Sequence, residues 1–295
     1  MNSPAEGWTR CGTVSDSPAD VDTTDPNEPT WGTAWEPLTP RGVAAFAGAS
    51  LGRLLLVQLI VALFAAATVG WFLKTGWFPV VREAIQAMPD EGSLRYGRLA
   101  WNGKNPQQLA QNRFLSIGVD LYHSMQLGRE AHLQVEFGQT DFRIGALPGY
   151  DVFDYSPDSN YAFNRTALEP WWGAWQPWIF VGALACVVAG LMISWTLLAT
   201  IYFLPVRVLS FLENRDLDLR QSWLLSGAAM MPGALFMIAG IAAYTLGLID
   251  LIRLAAVFGL HFLVGWIYLV ISPFFCPRHP AAAKKEKGNP FAASK

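Results

Sequence analysis

Residues 54–73 read LLLVQLIVALFAAATVGWFL, an apolar run without one charged side chain. Wound at ~1.5 Å per residue, such a run matches the ~30 Å hydrocarbon core of a bilayer, so it predicts a membrane-crossing helix and decides which solvent every neighbouring segment meets. Three more runs of spanning length follow at 178–204, 222–246 and 251–271, the last two separated only by a hairpin at 247–250. With 52% hydrophobic residues and 13 Trp among 295, the composition is too apolar for an ordinary soluble enzyme. The predicted fold class is integral membrane α-helical, with four transmembrane helices arranged one plus three and a small α+β extracytoplasmic domain in the long gap between the first and second. The domains expected are an acidic disordered tail (1–40), an uncleaved signal-anchor helix (41–73), the α+β domain (74–176), a three-helix bundle (177–277) and a basic tail (278–295).

Orientation follows from Lys and Arg beside the short connections. Arg41 and Arg53 precede the first span, Arg207, Arg215 and Arg220 lie between the second and third, and Arg278, Lys284, Lys285 and Lys287 follow the fourth. Those regions are expected in the cytoplasm of a bacterial inner membrane, with both termini inside and the gap outside. Trp71 and Trp77 after the first span, with Trp171, Trp172, Trp175 and Trp178 before the second, are the expected anchors at the outer headgroup level. The front of the chain sets seven acids against one base, Arg10, and no basic patch interleaved with aromatics occurs anywhere. Both points exclude nucleic acid as a partner. Trp8, Trp31 and Trp35 in that acidic tail read as a docking motif or as interfacial anchors.

Between the first two spans, 78–88 has helical spacing and ends at Pro89. Segments 94–101, 114–122, 132–137 and 142–147 read as strands, 102–112 as a polar link, and 148–170 as a loop returning to the membrane. The domain contains no cysteine: Cys11 lies in the tail, Cys186 in the second span and Cys276 at the inner end of the fourth, where an acylated thiol or a spectator are the alternatives. Asn164, Arg165 and Thr166 form a glycosylation sequon, meaningful only in a eukaryotic secretory membrane.

Chemistry has few places to reside. Asp120, His123, His132 and Asp141 are the residue types of an outer nitrogen and oxygen metal site, but their spacing matches no metal motif, and polar positions at the surface or on strand edges are the favoured account of them. No metal or cofactor is therefore assigned. Inside the spans the one deep ionisable group is His261, read either as a proton or substrate ligand or as a neutral imidazole bonded to a neighbouring helix. Gln58 lies early in the first span. Pro232 is expected to kink the third, and Ala239, Ala243 and Gly247 offer a small-residue face for close helix packing. Asp250 and Arg253 are expected to pair, and 205–221 to form an amphipathic elbow along the inner interface.

Three stretches carry a family resemblance: AMPDEGSLRYGRLAW (87–101), FLSIGVDLYH (114–123) and FLPVRVLSFLENRDLDLRQSW (203–223) leading into the Pro232 helix. Together they resemble an uncharacterised group of bacterial membrane proteins, some encoded near maltodextrin-utilisation genes, and the elbow and bundle are similar to those of Yip1-type membrane proteins. The resemblance implies an anchor helix, an extracytoplasmic domain and a C-terminal bundle. It implies no reaction and no functional residue. The acidic front tail departs from the group's layout.

Three functions stay open on the sequence. The first is a non-enzymatic membrane protein whose outer domain binds a ligand or protein partner, as sensor, scaffold or assembly accessory, with the helices serving to anchor it and to form a homo-oligomer. The second is a transport component with a pathway around His261 and Pro232. The third is an outer-face metal-dependent enzyme built on Asp120, His123, His132 or Asp141.

Overall fold

The computed structural model describes residues 34–124, 128, 130–215 and 217–278. The expected tails, with Trp8, Trp31, Cys11, His279 and the lysines of the C-terminus, lie outside the described residues except for their innermost edges.

Four helical stretches are long and apolar enough to cross a membrane by length and composition: Leu51–Gln86, Arg165–Leu212, Leu219–Thr245 and Leu251–Phe275. All four overlap the apolar runs of the sequence, but two extend far beyond them. Helix α2 (Leu51–Phe72), capped by the Ser50 hydroxyl, does not stop at its apolar end. It passes through a π turn (Leu73–Trp77) straight into α3 (Phe78–Gln86), giving 36 unbroken helical residues. Helix α4 (Arg165–Leu212) is longer still at 48 residues, capped by Asn164, and reaches about 72 Å at ~1.5 Å per residue. Its prolines, Pro170, Pro177 and Pro205, do not divide it. The elbow expected at 205–221 is accordingly not a separate interfacial helix. Its first half is the end of α4, and Asp218 then starts α5 (Leu219–Ala229) through a reciprocal capping box with Gln221.

The third span is interrupted near the expected place. α5 ends at Ala229 and α6 (Met231–Thr245) restarts with Pro232 in its first turn, where the missing N–H costs nothing. After the Gly247 turn, with φ +78°, Asp250 caps α7 (Leu251–Ile271). Arg253 Nε lies 3.8 Å from Asp250 Oδ2, as the spacing predicts. The third span is the centre of the bundle: 67% of its apolar window is buried, against 6% for α4 and 11% for α7. At the start of α2, α1 (Pro40–Ala45) and a 3-10 turn (Phe46–Gly48) pack against the bundle, with Val43 and Phe46 fully buried. The expected anchor segment 41–73 is thus divided among α1, the 3-10 turn and α2, because Ser50 begins a new helix.

The strand-bearing domain holds two sheets. β1 (Gly92–Arg95), β2 (Arg98–Trp101) and β8 (Asn160–Ala162) form one, in the order β2-β1-β8; β3 (Gln107–Gln111), β4 (Leu115–Val119), β5 (Leu133–Phe137), β6 (Asp141–Ala146) and β7 (Gly149–Asp154) form the other in chain order. All pairs are antiparallel except β4 with β5. Segment 94–101, expected as one strand, is a hairpin turning at Tyr96 and Gly97, both at positive φ. β3 occupies the stretch read as a polar link: Leu109 and Ala110 are buried, while its three glutamines hid the signal. β7 and β8 replace the expected loop.

Helix α3 covers one face of the larger sheet. Val80, Ala84 and Met88 pack on Leu109, Leu115, Ile117 and Val119. Burying a side chain the size of Val80 or Val119 contributes roughly 1.5–3 kcal/mol. Because α3 continues α2, this core is built directly onto the end of the first apolar helix.

Candidate functional site

The domain meets the bundle along two seams. In the first, α3 lies against the start of α4. Phe78 stands edge-on to Trp172 at 5.5 Å between ring centroids and 6.1 Å from Phe180, with Ile85 beside them. Lys74 Nζ sits 4.7 Å over the Phe180 ring. Of the six expected anchor tryptophans, Trp71, Trp171, Trp175 and Trp178 are exposed, as headgroup anchoring requires. Trp172 is buried at 9% exposure and Trp77 packs in the same cluster, so these two join the helices to each other instead.

The second seam is polar and aromatic. Arg113, between β3 and β4, donates from Nη2 to the Ile249 carbonyl in the α6–α7 hairpin at 2.8 Å. His132 Nδ1 lies 2.7 Å from the Tyr244 hydroxyl of α6, and the two rings stack at 5.5 Å. Phe114 and Phe72 close the cluster around Tyr244. Burial pushes the His132 pKa down, the Arg113 guanidinium adds to this, and Asp250 opposes it. Asn112 completes the seam, donating from Nδ2 to the Gly76 carbonyl of the π turn at 2.6 Å. Gly247 belongs here too: a Cβ on it would strike the Arg113 guanidinium.

Of the four residues grouped as a metal candidate, the fold brings two together. His123 lies over the sheet face carrying Glu136 and Arg143, with Nδ1 2.5 Å from Glu136 Oε1 and Nε2 2.7 Å from Asp141 Oδ1. The second contact does not meet hydrogen-bond geometry. The carboxylates address opposite ring nitrogens, so they do not converge on a common point. Among the described residues no trio of His, Cys, Asp or Glu is arranged to hold a metal ion. Asp120 is spent locally, accepting from the Ser124 amide and hydroxyl at 2.6 and 2.5 Å, and His132 is at the bundle seam. Glu136 was the partner that sequence spacing could not supply. The His123 ring fits because Gly138 leaves it room, since a Cβ there would overlap Nε2. Tyr155, close by, donates to the Gly138 carbonyl, and burial raises its pKa well above the ordinary phenol value.

Inside the bundle, a cavity of about 390 Å³ opens between α2, α4, α6 and α7. Ala65, Trp195, Tyr202, Met237, His261 and Trp266 are among its walls, and its surface is overwhelmingly apolar. His261 bonds through Nδ1 to its own helix at the Phe258 carbonyl and packs 3.9 Å from the Phe262 ring. Trp266 Nε1 donates to the Tyr202 hydroxyl at 2.9 Å. Gln58 is fully buried away from the cavity, donating to the Gly227 carbonyl of α5 at 3.3 Å. Pro232 is buried at the start of α6, outside the cavity lining.

Close approach of α6 to α7 runs through Gly233 and Gly240. A Cβ on Gly233 would overlap the His261 carbonyl oxygen, and one on Gly240 the Val257 side chain. Ala239 faces outward, Ala243 is half-buried and Gly247 is the turn residue, so the expected face is not the one that contacts α7. Cys276 is buried beneath α4, and burial pushes its thiol up to about 12, which leaves a poor nucleophile for acylation.

No family model matches the chain, and neither the curated proteins nor the solved structures contain a match to it.

Proposed function

We propose that the chain is a multi-pass protein of a bacterial inner membrane, with both termini cytoplasmic and a non-enzymatic role: its extracytoplasmic domain docks a protein partner and holds it in fixed register with the helices, as a scaffold, assembly accessory or sensor. One observation carries this reading. The domain is mounted on two uninterrupted helices, α2–α3 and α4, and is tied again to the α6–α7 hairpin by Arg113, so a partner held by the domain is referenced rigidly to the bundle. The orientation rests on Arg41, Arg53, Arg207 and Arg215 gathered at the bundle end away from the strands, in keeping with the cytoplasmic excess of basic residues. Arg215 is held there by the Cys276 carbonyl and Arg41 by the Phe275 ring.

The test is made on the full chain in living cells. A reporter fused after Gly138 is active only in the outer compartment, and a photo-reactive amino acid at Tyr96, Tyr122 or Tyr161, all strongly exposed, gives a discrete protein adduct from at least one site. A cytoplasmically active reporter, or normal insertion without an adduct at any of the three, defeats the reading.

The cavity beside His261 favours a second reading, in which the bundle passes an apolar solute as a transport component. Under it, His261→Ala abolishes flux while leaving insertion intact; unchanged uptake eliminates it. The first reading is preferred because His261 is bonded within its own helix, and among the described residues no Asp, Glu, Lys or Arg lines the cavity to relay with it.

A further inference from the structure

Strand β7 ends the larger sheet, and all six of its residues are exposed. Tyr150, Val152 and Phe153 are 56%, 47% and 44% exposed, so the strand offers apolar side chains as well as a backbone edge that no described strand pairs. Folded chains ordinarily disarm such edges with a proline, charges (lysine above all), a bulge or a cover, and acidic charges leave the edge open to a segment of opposite sign. The other edge of the same sheet is disarmed: β3 has an irregular register at Gln108 to Ala110 and lies under α3. In the smaller sheet, β8 is only three residues long. β7 has no proline, no lysine and no break in its register against β6. What it has instead is two carboxylates, Asp151 and Asp154, with Asp141 directly across from Asp154 and Asp158 in the following turn.

We propose that β7 is the partner-docking edge, and that it takes up an extended basic segment of another protein as an added strand. The proposal rests on the partner-binding reading above and specifies its site. Alternation along β7 puts Tyr150, Val152 and Asp154 on the face of the sheet that carries Arg143, and Asp151 and Phe153 on the face that carries Ile144 and Phe142. An added strand sets one residue against each of these. Lys or Arg belongs opposite Asp151 and opposite Asp154, and apolar residues opposite Val152 and Phe153. The expected signature is therefore two basic residues bracketing two apolar ones, with an aromatic or apolar residue beyond, opposite Tyr150. Arg143 cannot satisfy this edge from within: its guanidinium lies 5.4 Å from the Tyr150 ring and its Nε 3.9 Å from Asp141. Backbone pairing would supply the affinity and the two carboxylates the choice of partner.

The experiment uses the purified full chain in detergent micelles and two short synthetic peptides, one with lysines bracketing a Val-Phe pair and one with glutamates in the same places. The lysine peptide binds and the glutamate peptide does not. Doubly substituted Asp151→Lys/Asp154→Lys, at exposed positions that leave the fold intact, loses about ten-fold in affinity for the lysine peptide and gains the glutamate peptide, the size expected when two cross-strand charge pairs change sign. Hydrogen exchange slows at the amides of β7 on binding. Equal binding of both peptides, no binding of either, or charge-selective binding without slowed exchange in β7 each overturns the proposal. A disulfide-linked dimer formed by Val152→Cys also overturns it, by giving the edge to a second copy. If β7 fails while photo-adducts persist at Tyr96, Tyr122 or Tyr161, partner binding stands and only its assignment to β7 falls.

Discussion

His132 Nδ1 and the Tyr244 hydroxyl lie 2.7 Å apart, one from the mouth of β5 and the other from α6, and join the strand-bearing domain to the central span. The bond closes a cluster that also holds Arg113, Phe114 and Phe72. Removing its hydroxyl with Tyr244→Phe preserves the stacking and deletes one hydrogen bond, a loss of about 0.5–1.5 kcal/mol. Hydrogen exchange at β4 and β5 should quicken while the amides of α4 are unchanged. Uniform quickening over both would show that the bond does not act locally.

The same junction should be sensitive to acid. The pKa of His132 is lowered in the folded chain, chiefly by burial and then by Arg113, so the unfolded chain takes up a proton more readily. Its contribution is fully present above the unfolded value of 6.5 and is lost as pH falls through the lower folded value. Thermal midpoints of the wild type and His132→Gln, compared between pH 8 and pH 5, should converge as the pH drops. Parallel curves would remove His132 as the cause.

Two tryptophans adjacent to one another in the expected anchor set should behave in opposite ways. Trp172 is buried against Phe78 and Ile85, and Trp172→Ala should cost about 3–5 kcal/mol by the lost contacts and the cavity left behind. Trp171→Ala, at a position 50% exposed, should leave the thermal midpoint in micelles nearly unchanged. Equal losses at both would contradict the packing of α3 against the start of α4.

On α6, Gly233→Ala places a methyl on the rigid backbone carbonyl of His261 and should cost about 1–3 kcal/mol through forced helix separation. Ala239→Leu, on the outward side, should be tolerated in micelles. Gly240→Ala should be milder than Gly233→Ala, because the Val257 side chain can turn aside where a carbonyl cannot. The order of the three thermal midpoints is the measurement, and a reversed order between Gly233→Ala and Ala239→Leu would refute this seam.

Cys276 should resist alkylation in the folded chain at pH 8 and react only after denaturation, since its buried thiol titrates near 12. Mass spectrometry of chain treated with iodoacetamide reads this directly; rapid modification of the native form would place the thiol at the surface.

Apolar runs long enough to span a bilayer were legible from composition and length alone, because burying a helical backbone in lipid or in a protein core demands a sustained absence of charge. The turn at 247–250, the pairing of Asp250 with Arg253, an irregularity at Pro232 and a helix ending before Pro89 were legible for a similar reason: each depends on residues within one or two turns. β3 and β7 were not legible. The glutamines of β3 and the fully exposed residues of β7 carry no two-residue apolar rhythm, and both strands exist because a neighbouring strand pairs with them.

By itself, the sequence determined the number and order of the apolar helices and the local signals that start and stop them, since those are decided by solvent preference and short-range hydrogen bonding. Only the tertiary structure decided that Glu136 and not Asp120 joins His123 and Asp141, that Trp172 packs inward while Trp171 does not, and that α2 runs on into α3 and α4 into the domain. These depend on groups far apart in the chain meeting at ångström distances, and contacts between residues as distant as His132 and Tyr244 leave no trace in the spacing of either.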